Sequence, residues 1–365
     1  MAVFKSEPQS FLGIDLGVGS IKVVELKNEN KRARLATYAF TEQVFDITKG
    51  DMAENKQELA DLLKRICEKA KTKSTIAITA IPLSEVFSAI ISLSDVTKKD
   101  LASPKTLVPQ IEREAAKILP VPLADLVIDW KIVDAKEKIK TEEAGEDEGK
   151  QNVRILVTAA PKVLIKKYME IFRLANLNLM SLETESFALI RSLVGNDQST
   201  IAIIDIGATK TNITIVDKGV PFITRSINVG GKIISEALSK NLGITEEQAE
   251  QLKADIGLPA EGGNGNAARI IESLLAPIIS EVKYCFGLFF ADNNTGKKDI
   301  DKIILCGGSA SMPNLAENIS KILNLRVYVG DPWARVLFPE ELKPVLDEIG
   351  PRFAVAVGLA MREIE

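Results

Sequence analysis

A chain of 365 residues is longer than one hydrophobic core usually serves, and with 46% apolar and 26% charged residues it reads as a folded protein of two lobes. Its 46 Lys plus Arg against 50 Asp plus Glu give a formal charge of -4, so no basic excess marks nucleic acid as a main partner. There is no histidine, which excludes Ser-His-Asp hydrolysis and zinc chemistry, and Cys67, Cys285 and Cys306 stand far apart in apolar patterns, as reduced core thiols of a cytosolic protein do.

The first ten residues contain no signal-peptide apolar run, and no later segment approaches the ~20 apolar residues of a bilayer span, so membrane association is expected only through a partner or a surface. Residues 11–26 read as two apolar strands around a turn of small residues, with a third strand at about 35–40. Leu59, Leu62, Leu63, Ile66 and Ala70 recur at helical spacing, and 75–81 returns to a buried strand, which makes the first lobe α/β. From 83 to 135 the pattern changes to a helix carrying Ile111, Ala115 and Ile118, a turn at 119–122 and a strand at about 126–133, together an inserted subdomain. Residues 136–152 are nearly all Lys, Glu, Asp, Gly and Gln, the composition of a mobile surface loop dispensable for folding.

A strand at 153–159 and a helix at 162–176 are expected to resume the first lobe, and a helix at 185–194 to lead into the second. There the predicted elements are strands at 201–216 and 220–226, helices at 232–241, 245–254 and 267–291, a strand at 302–306, a helix at 314–323, a strand at 326–329 and a terminal helix from about 352. The boundaries that follow are 1–82 and 153–199 for the first lobe, 83–152 for the insertion, 200–349 for the second lobe, and 350–365 for a helix returning to the first.

An internal echo carries the chemistry. Asp15, Gly17, Gly19, Ser20 and Lys22 lie in the first hairpin and Asp205, Gly207, Thr209, Lys210 and Thr211 in the second, with Asp15 aligned to Asp205 and Gly17 to Gly207. An Asp at the end of a buried strand, followed by small residues, sets a carboxylate beside exposed backbone N-H groups, which suits a phosphate with a hydrated Mg2+. One such turn is equally an ordinary hairpin. Two of them, one per lobe, can clamp a triphosphate from both sides. Gly307, Gly308 and Ser309 follow a buried strand and suit a flat base or ribose, or simply open the next helix; Gly230 and Gly231 open a helix whose first N-H groups can meet an anion. Glu250 and Lys253 lie three apart on a predicted helix, as an exposed salt pair also would.

Together these residues resemble the actin, heat-shock chaperone ATPase and sugar kinase superfamily, and within it the FtsA and PilM branch. The resemblance implies an α/β actin-like ATPase fold: two lobes, each with a mixed sheet opened by a β-meander, and an inserted subdomain of the FtsA type. It makes 15–22 the phosphate 1 hairpin, 205–211 phosphate 2 and 307–309 the adenosine motif; Lys22 is then the phosphate lysine, and Glu250 and Lys253 touch ribose. ATP and Mg2+ are the implied cofactors, with Asp15 and Asp205 toward the metal. Glu185 matches the acidic position that orients the attacking water, and equally suits a solvated helix start.

The stretches 82–87, 112–122 with 126–129, 229–231 and 330–333 are most similar to the PilM family of type IV pilus assembly. That family implies a cytoplasmic, actin-like component at the inner membrane that binds the N-terminal cytoplasmic tail of PilN, expected where the first lobe meets the insertion. Slow or partner-dependent hydrolysis, possible self-association and membrane contact through partners are implied with it. Lys210 departs from the small or hydroxyl residues commoner in phosphate 2. An FtsA-like division protein remains an alternative, although no amphipathic anchor follows the terminal helix, and a small-molecule kinase of the superfamily is a second.

Overall fold

In the computed structural model, which describes residues 9–42, 52–137, 151–257, 265–292 and 299–364, three sheets organise the chain. Two compact units result, one formed by Met1–Leu83 with Met169–Glu365 and a smaller one by Ser84–Tyr168.

The larger unit opens with the antiparallel meander β1 (Ser10–Gly17), β2 (Ser20–Glu29) and β3 (Arg32–Thr41), followed by α1 (Met52–Ala70) and β4 (Ile76–Ile81), which runs parallel to β1. Six consecutive buried residues in β1 show that both faces of this sheet are covered.

The smaller unit contains β5 (Phe87–Val96), α2 (Lys98–Ala102), α3 (Val108–Ala116), β6 (Leu126–Glu137) and β7 (Gln151–Pro161). Its core is Ile91, Leu93, Val96, Leu107, Ile111, Ala115, Val153, Ile155 and Val157. Two sequence expectations are corrected here. β7 does not resume the first lobe; it is the central strand of the order β5-β7-β6, because Ile155 pairs with Ile91 on one side and Ile132 on the other. Ile118 lies beyond the end of α3 and is 42% exposed. Of the expected charged loop, 138–150 lie outside the described residues, while 136–137 and 151–152 are strand.

The chain continues through α4 (Lys162–Leu174), β8 (Asn178–Thr184) and α5 (Glu185–Leu189), which widens into a π-helical stretch at Ile190–Val194. β8 has no counterpart in the sequence reading; it is an edge strand beside β4, completing the order β14-β3-β2-β1-β4-β8. A second meander, β9 (Ile201–Ile206), β10 (Thr211–Asp217) and β11 (Val220–Ile227), leads to α6 (Gly231–Leu242), α7 (Glu246–Ile256) and α8 (Asn266–Asp292). Then come β12 (Lys302–Cys306), α9 (Leu315–Leu323), β13 (Val327–Val329), β14 (Val336–Leu337) and α10 (Lys343–Met361). The second sheet has the order β11-β10-β9-β12-β13.

α10 starts nine residues before the predicted 352, since its first turn carries Pro344 and the helix runs through Pro351. Its Phe353 to Met361 run shares one apolar cluster with β1, β2, β4, α5, β9 and β12, so it packs against both sheets. Contact is close because small residues face each other: a Cβ on Gly13 would lie 1.9 Å from the Ala356 carbonyl oxygen, and one on Gly358 equally 1.9 Å from that of Ala188.

α8 corrects another expectation, because Asn266–Ala291 is by length and composition apolar enough to cross a membrane. Its Ile271, Leu275, Ile278, Val282, Cys285 and Phe289 are buried in the cluster with β9, β10 and β12, the one-sided burial of a core helix. All three cysteines are free thiols, Cys285 and Cys306 buried and Cys67 half-buried.

Candidate functional site

The antiparallel register of β1 and β2 sets Asp15 opposite Lys22 and Gly17 opposite Ser20. Residues directly opposite share a face. Lys22 Nζ therefore reaches Asp15 Oδ2 at 2.9 Å and donates to the Ser20 carbonyl at 3.4 Å. A Cβ on Gly17 would stand 3.1 Å from that ammonium, so glycine keeps the lysine head against the turn. The second hairpin repeats the register: Asp205 lies opposite Asn212, and the Gly207 N-H donates to the Lys210 carbonyl at 2.9 Å. The two turns abut tip to tip, since a Cβ on Gly19 would come within 2.5 Å of the Ala208 Cβ.

β12 lies parallel to β9 with Cys306 beside Asp205, which delivers the third turn to the same place. Gly307 adopts φ +88, and a Cβ there would meet Asp205 Oδ1 at 2.4 Å; both facts demand glycine. Its N-H donates to the Pro351 carbonyl at 2.8 Å, and the Ser309 N-H to that of Ile206 at 3.2 Å. A Cβ on Gly308 would meet no protein atom within 4 Å.

The start of α6 differs from the sequence reading. Gly231 N-H donates to the Gly207 carbonyl at 2.9 Å and Lys232 N-H to that of Ala208 at 2.8 Å, while those of Ile233 and Ile234 turn to Gly230. The N-H groups expected to meet an anion are thus taken up within the protein. Gly230 and Gly231 serve close approach instead: a Cβ on Gly230 would lie 2.6 Å from the Ala208 carbonyl oxygen, and one on Gly231 2.3 Å from Ser309 Oγ.

Lys253 is buried, and its Nζ donates to the Gly231 carbonyl at 3.2 Å, Ser235 Oγ at 3.1 Å and Glu250 Oε2 at 2.7 Å. Ser235 donates to the same Glu250 oxygen. Burial pushes the Glu250 carboxyl up, but the hydrogen bonds from Lys253 and Ser235 outweigh it and hold it below the ordinary value. The lysine is buried while the glutamate is exposed, and the pair adjoins Ser309 through Gly231.

Glu185 opens α5 directly after β8, and its Oε2 accepts from the Leu83 N-H at 3.1 Å and from Asn212 Nδ2 at 3.0 Å. Desolvation, then the nearby charges of Asp205 and Asp15, push its carboxyl up to about 8. Asp205 is pushed up to about 6 by desolvation and by Asp15, opposed by Lys22 and by a hydrogen bond from Asn212. Three acids and one lysine thus share a poorly solvated space, an arrangement that favours arrival of a cation.

The structure brings Asp15, Lys22, Glu185, Asp205, Gly207 and Gly307 together, with Ser309, Gly231, Glu250 and Lys253 adjoining. Ser20 is buried at the foot of the first turn, and Thr209 and Lys210 sit half-buried in the second. Thr211 faces away from the phosphate role, because its buried hydroxyl donates to the Val229 carbonyl at 2.7 Å. The sequence reading missed Asn212, Ser235 and the Leu83 N-H. The echo itself carried a signal for Asn212, which stands as far beyond Asp205 as Lys22 stands beyond Asp15.

The chain is 24% identical over 271 residues to the cell division protein FtsA of Neisseria meningitidis serogroup B, covering 67% of this chain but 64% of that protein, so it spans a little under two thirds of that relative's length. It is 21% identical over 363 residues to FtsA of Streptococcus pneumoniae serotype 2, covering 87% and 74%. Among solved structures, a PilM-PilN type IV pilus biogenesis complex matches with TM-score 0.79 at 23% identity over 97% of this chain and 98% of that one. MreB 5 of Spiroplasma citri bound to AMPPNP matches with TM-score 0.52 at 15% identity over 97% and 95%. These likenesses show the actin-like ATPase fold. The family model for type IV pilus assembly protein PilM matches residues 13–364, a span that takes in both hairpins, the Gly307 turn and α10, and the chain belongs to that family.

Proposed function

We propose that the larger unit binds ATP with Mg2+ over the paired hairpins, and that the chain uses nucleotide state to switch its engagement of a PilN cytoplasmic tail in type IV pilus assembly. The observation that carries the nucleotide reading is the tip-to-tip apposition of two equivalent turns, each backed by an aspartate at the same register position. Glycines at 17, 19, 207 and 307 keep backbone and carboxylates within reach of phosphate oxygens, and Lys22 supplies the cation. Among the described residues no three acidic, cysteine or histidine side chains converge tightly enough to ligate a bare ion. That donor set suits Mg2+, which keeps several waters, held by Asp15 and Asp205. Ser309, Gly308, Glu250 and Lys253 would receive the base and ribose.

Bound Mg-ATP would supply the cleavable phosphate bond and the metal charge. The protein's share is to exclude water, to orient the phosphates, and to set Glu185 beside the reacting water. Burial and the charges of Asp205 and Asp15 push the Glu185 carboxyl up to about 8, and slow or partner-dependent hydrolysis belongs to this reading. The partner reading is supported by the family and by the likeness to the solved PilM-PilN complex; location at the cytoplasmic face of the inner membrane and self-association are proposed with it. FtsA-like kinship favours a second reading in cell division.

Calorimetry tests the nucleotide reading. Asp15→Ala and Asp205→Ala should each weaken Mg-ATP by at least about tenfold, the scale of one lost charge-assisted contact. Unchanged affinity in both variants would overturn it.

A further inference from the structure

Within the second hairpin, Asn212 is the residue whose side chain reaches Glu185. It lies on β10 directly opposite Asp205, the register position that Lys22 fills in the first hairpin. Its Nδ2 donates to Glu185 Oε2 at 3.0 Å, and the same amide lies near Asp205, whose carboxyl it helps to lower. The Leu83 N-H donates to the same Oε2 at 3.1 Å. Oε2 is therefore clamped by two donors, whereas no hydrogen bond to Oε1 is present among the described residues.

We propose that Asn212 is a positioning residue which, together with the Leu83 N-H, fixes one oxygen of Glu185 so that the other is presented to the reacting water. The inference rests on the nucleotide reading given above. The choice of residue type supports it. A lysine at 212, as at 22, would neutralise the acids and compete with the metal. The neutral amide orients Glu185 without neutralising it, through a hydrogen bond of defined direction. A side chain that merely filled the strand would have no such selectivity for one oxygen.

The test compares ground-state and transition-state ligands on the full-length protein. Mg-ADP affinity is measured alone and with aluminium fluoride, whose complex with Mg-ADP mimics the transferring phosphoryl group and needs the water-orienting acid in place. In the unaltered protein aluminium fluoride should tighten Mg-ADP binding at least about tenfold. Asn212→Ala should leave Mg-ADP affinity within about twofold and lose most of the gain from aluminium fluoride. Asn212→Asp, which keeps the shape but turns the donor toward Glu185 into an acceptor, should lose all of it. Thermal melts of both variants report whether they fold.

Retention of the aluminium fluoride gain in both variants overturns the inference, as does an equal loss with and without the mimic, which is what a structural role produces. An unaltered protein that binds Mg-ADP but gains nothing from aluminium fluoride also overturns it, leaving nucleotide binding intact. Failure of the unaltered protein to bind Mg-ADP removes the nucleotide reading and this inference with it.

Discussion

Lys22 and Asn212 sit at the same place in two copies of one hairpin, the one 2.9 Å from Asp15 and the other donating to Glu185. Asp205 and Glu185 are pushed up, to about 6 and about 8, first by desolvation and then by neighbouring carboxylates, with Lys22 opposing both shifts. Between the ordinary carboxylate range and those values, the folded protein holds protons that the unfolded chain has released. Stability from these groups is therefore fully present at low pH and falls as pH rises, for Glu185 across the window from 4.5 to about 8. Glu185→Gln removes the charge but keeps an acceptor. It should match the unaltered protein at about pH 4 and exceed it by roughly 1–3 kcal/mol at about pH 9, read from denaturant melts. Equal stability at both pH values would show that Glu185 ionises freely. At this scale the aspartates and glycines were legible because duplication repeats their spacing. Ser235 and the Leu83 N-H were not, since their partners come from segments far off in sequence. Thr211 looked like part of the phosphate turn, but its hydroxyl is spent on the Val229 carbonyl.

Helices and strands show where close packing decides the sequence. α10 approaches β1 at Gly13 and α5 at Gly358 so closely that an added methyl would overlap a backbone carbonyl in both cases. Neither neighbour is a flexible side chain, so relief requires moving an element. Gly358→Ala should cost about 2–3 kcal/mol or more. Gly287 in α8 offers the opposite case: it is exposed, and a Cβ there meets nothing within 4 Å. Gly287→Ala should stabilise by up to about 1 kcal/mol through backbone entropy alone. Urea melts of the two variants should thus shift in opposite directions, and a shift of the same sign would refute the packing account. Element type was readable wherever periodicity was strong, as in β1, β2, β9, β10 and α8. β8 escaped notice because Asn178–Thr184 lies at a sheet edge with a broken apolar alternation. β7 was recognised as a strand but given to the wrong sheet, since a buried strand carries no label of its neighbours. The terminal helix was expected from about 352, yet α10 runs through Pro351, whose carbonyl accepts the Gly307 N-H.

At the scale of the whole molecule, the chain leaves the larger unit after Leu83 and returns within α4, at Tyr168 to Met169. The last residue before that departure is the one whose N-H is held by Glu185 Oε2 at 3.1 Å. Any event that reorients Glu185, including arrival of a nucleotide and its metal, acts on the backbone where the smaller unit begins. Should a PilN tail engage the smaller unit, the two ligands would share that junction, and linkage then requires reciprocity. A PilN-tail peptide titrated with and without Mg-ATP should show affinities differing by at least about fivefold, the lower end of ordinary allosteric coupling. Mg-ATP titrated with and without the peptide must differ by the same factor. Glu185→Ala removes the acceptor of the Leu83 N-H and should bring both ratios toward unity while each ligand alone still binds. The direction of the effect is set by which state the peptide prefers, and either sign fits a switch. Identical peptide affinity in both nucleotide conditions would show that the tail and the nucleotide are bound independently, and coupling that persists in Glu185→Ala would route it through another path.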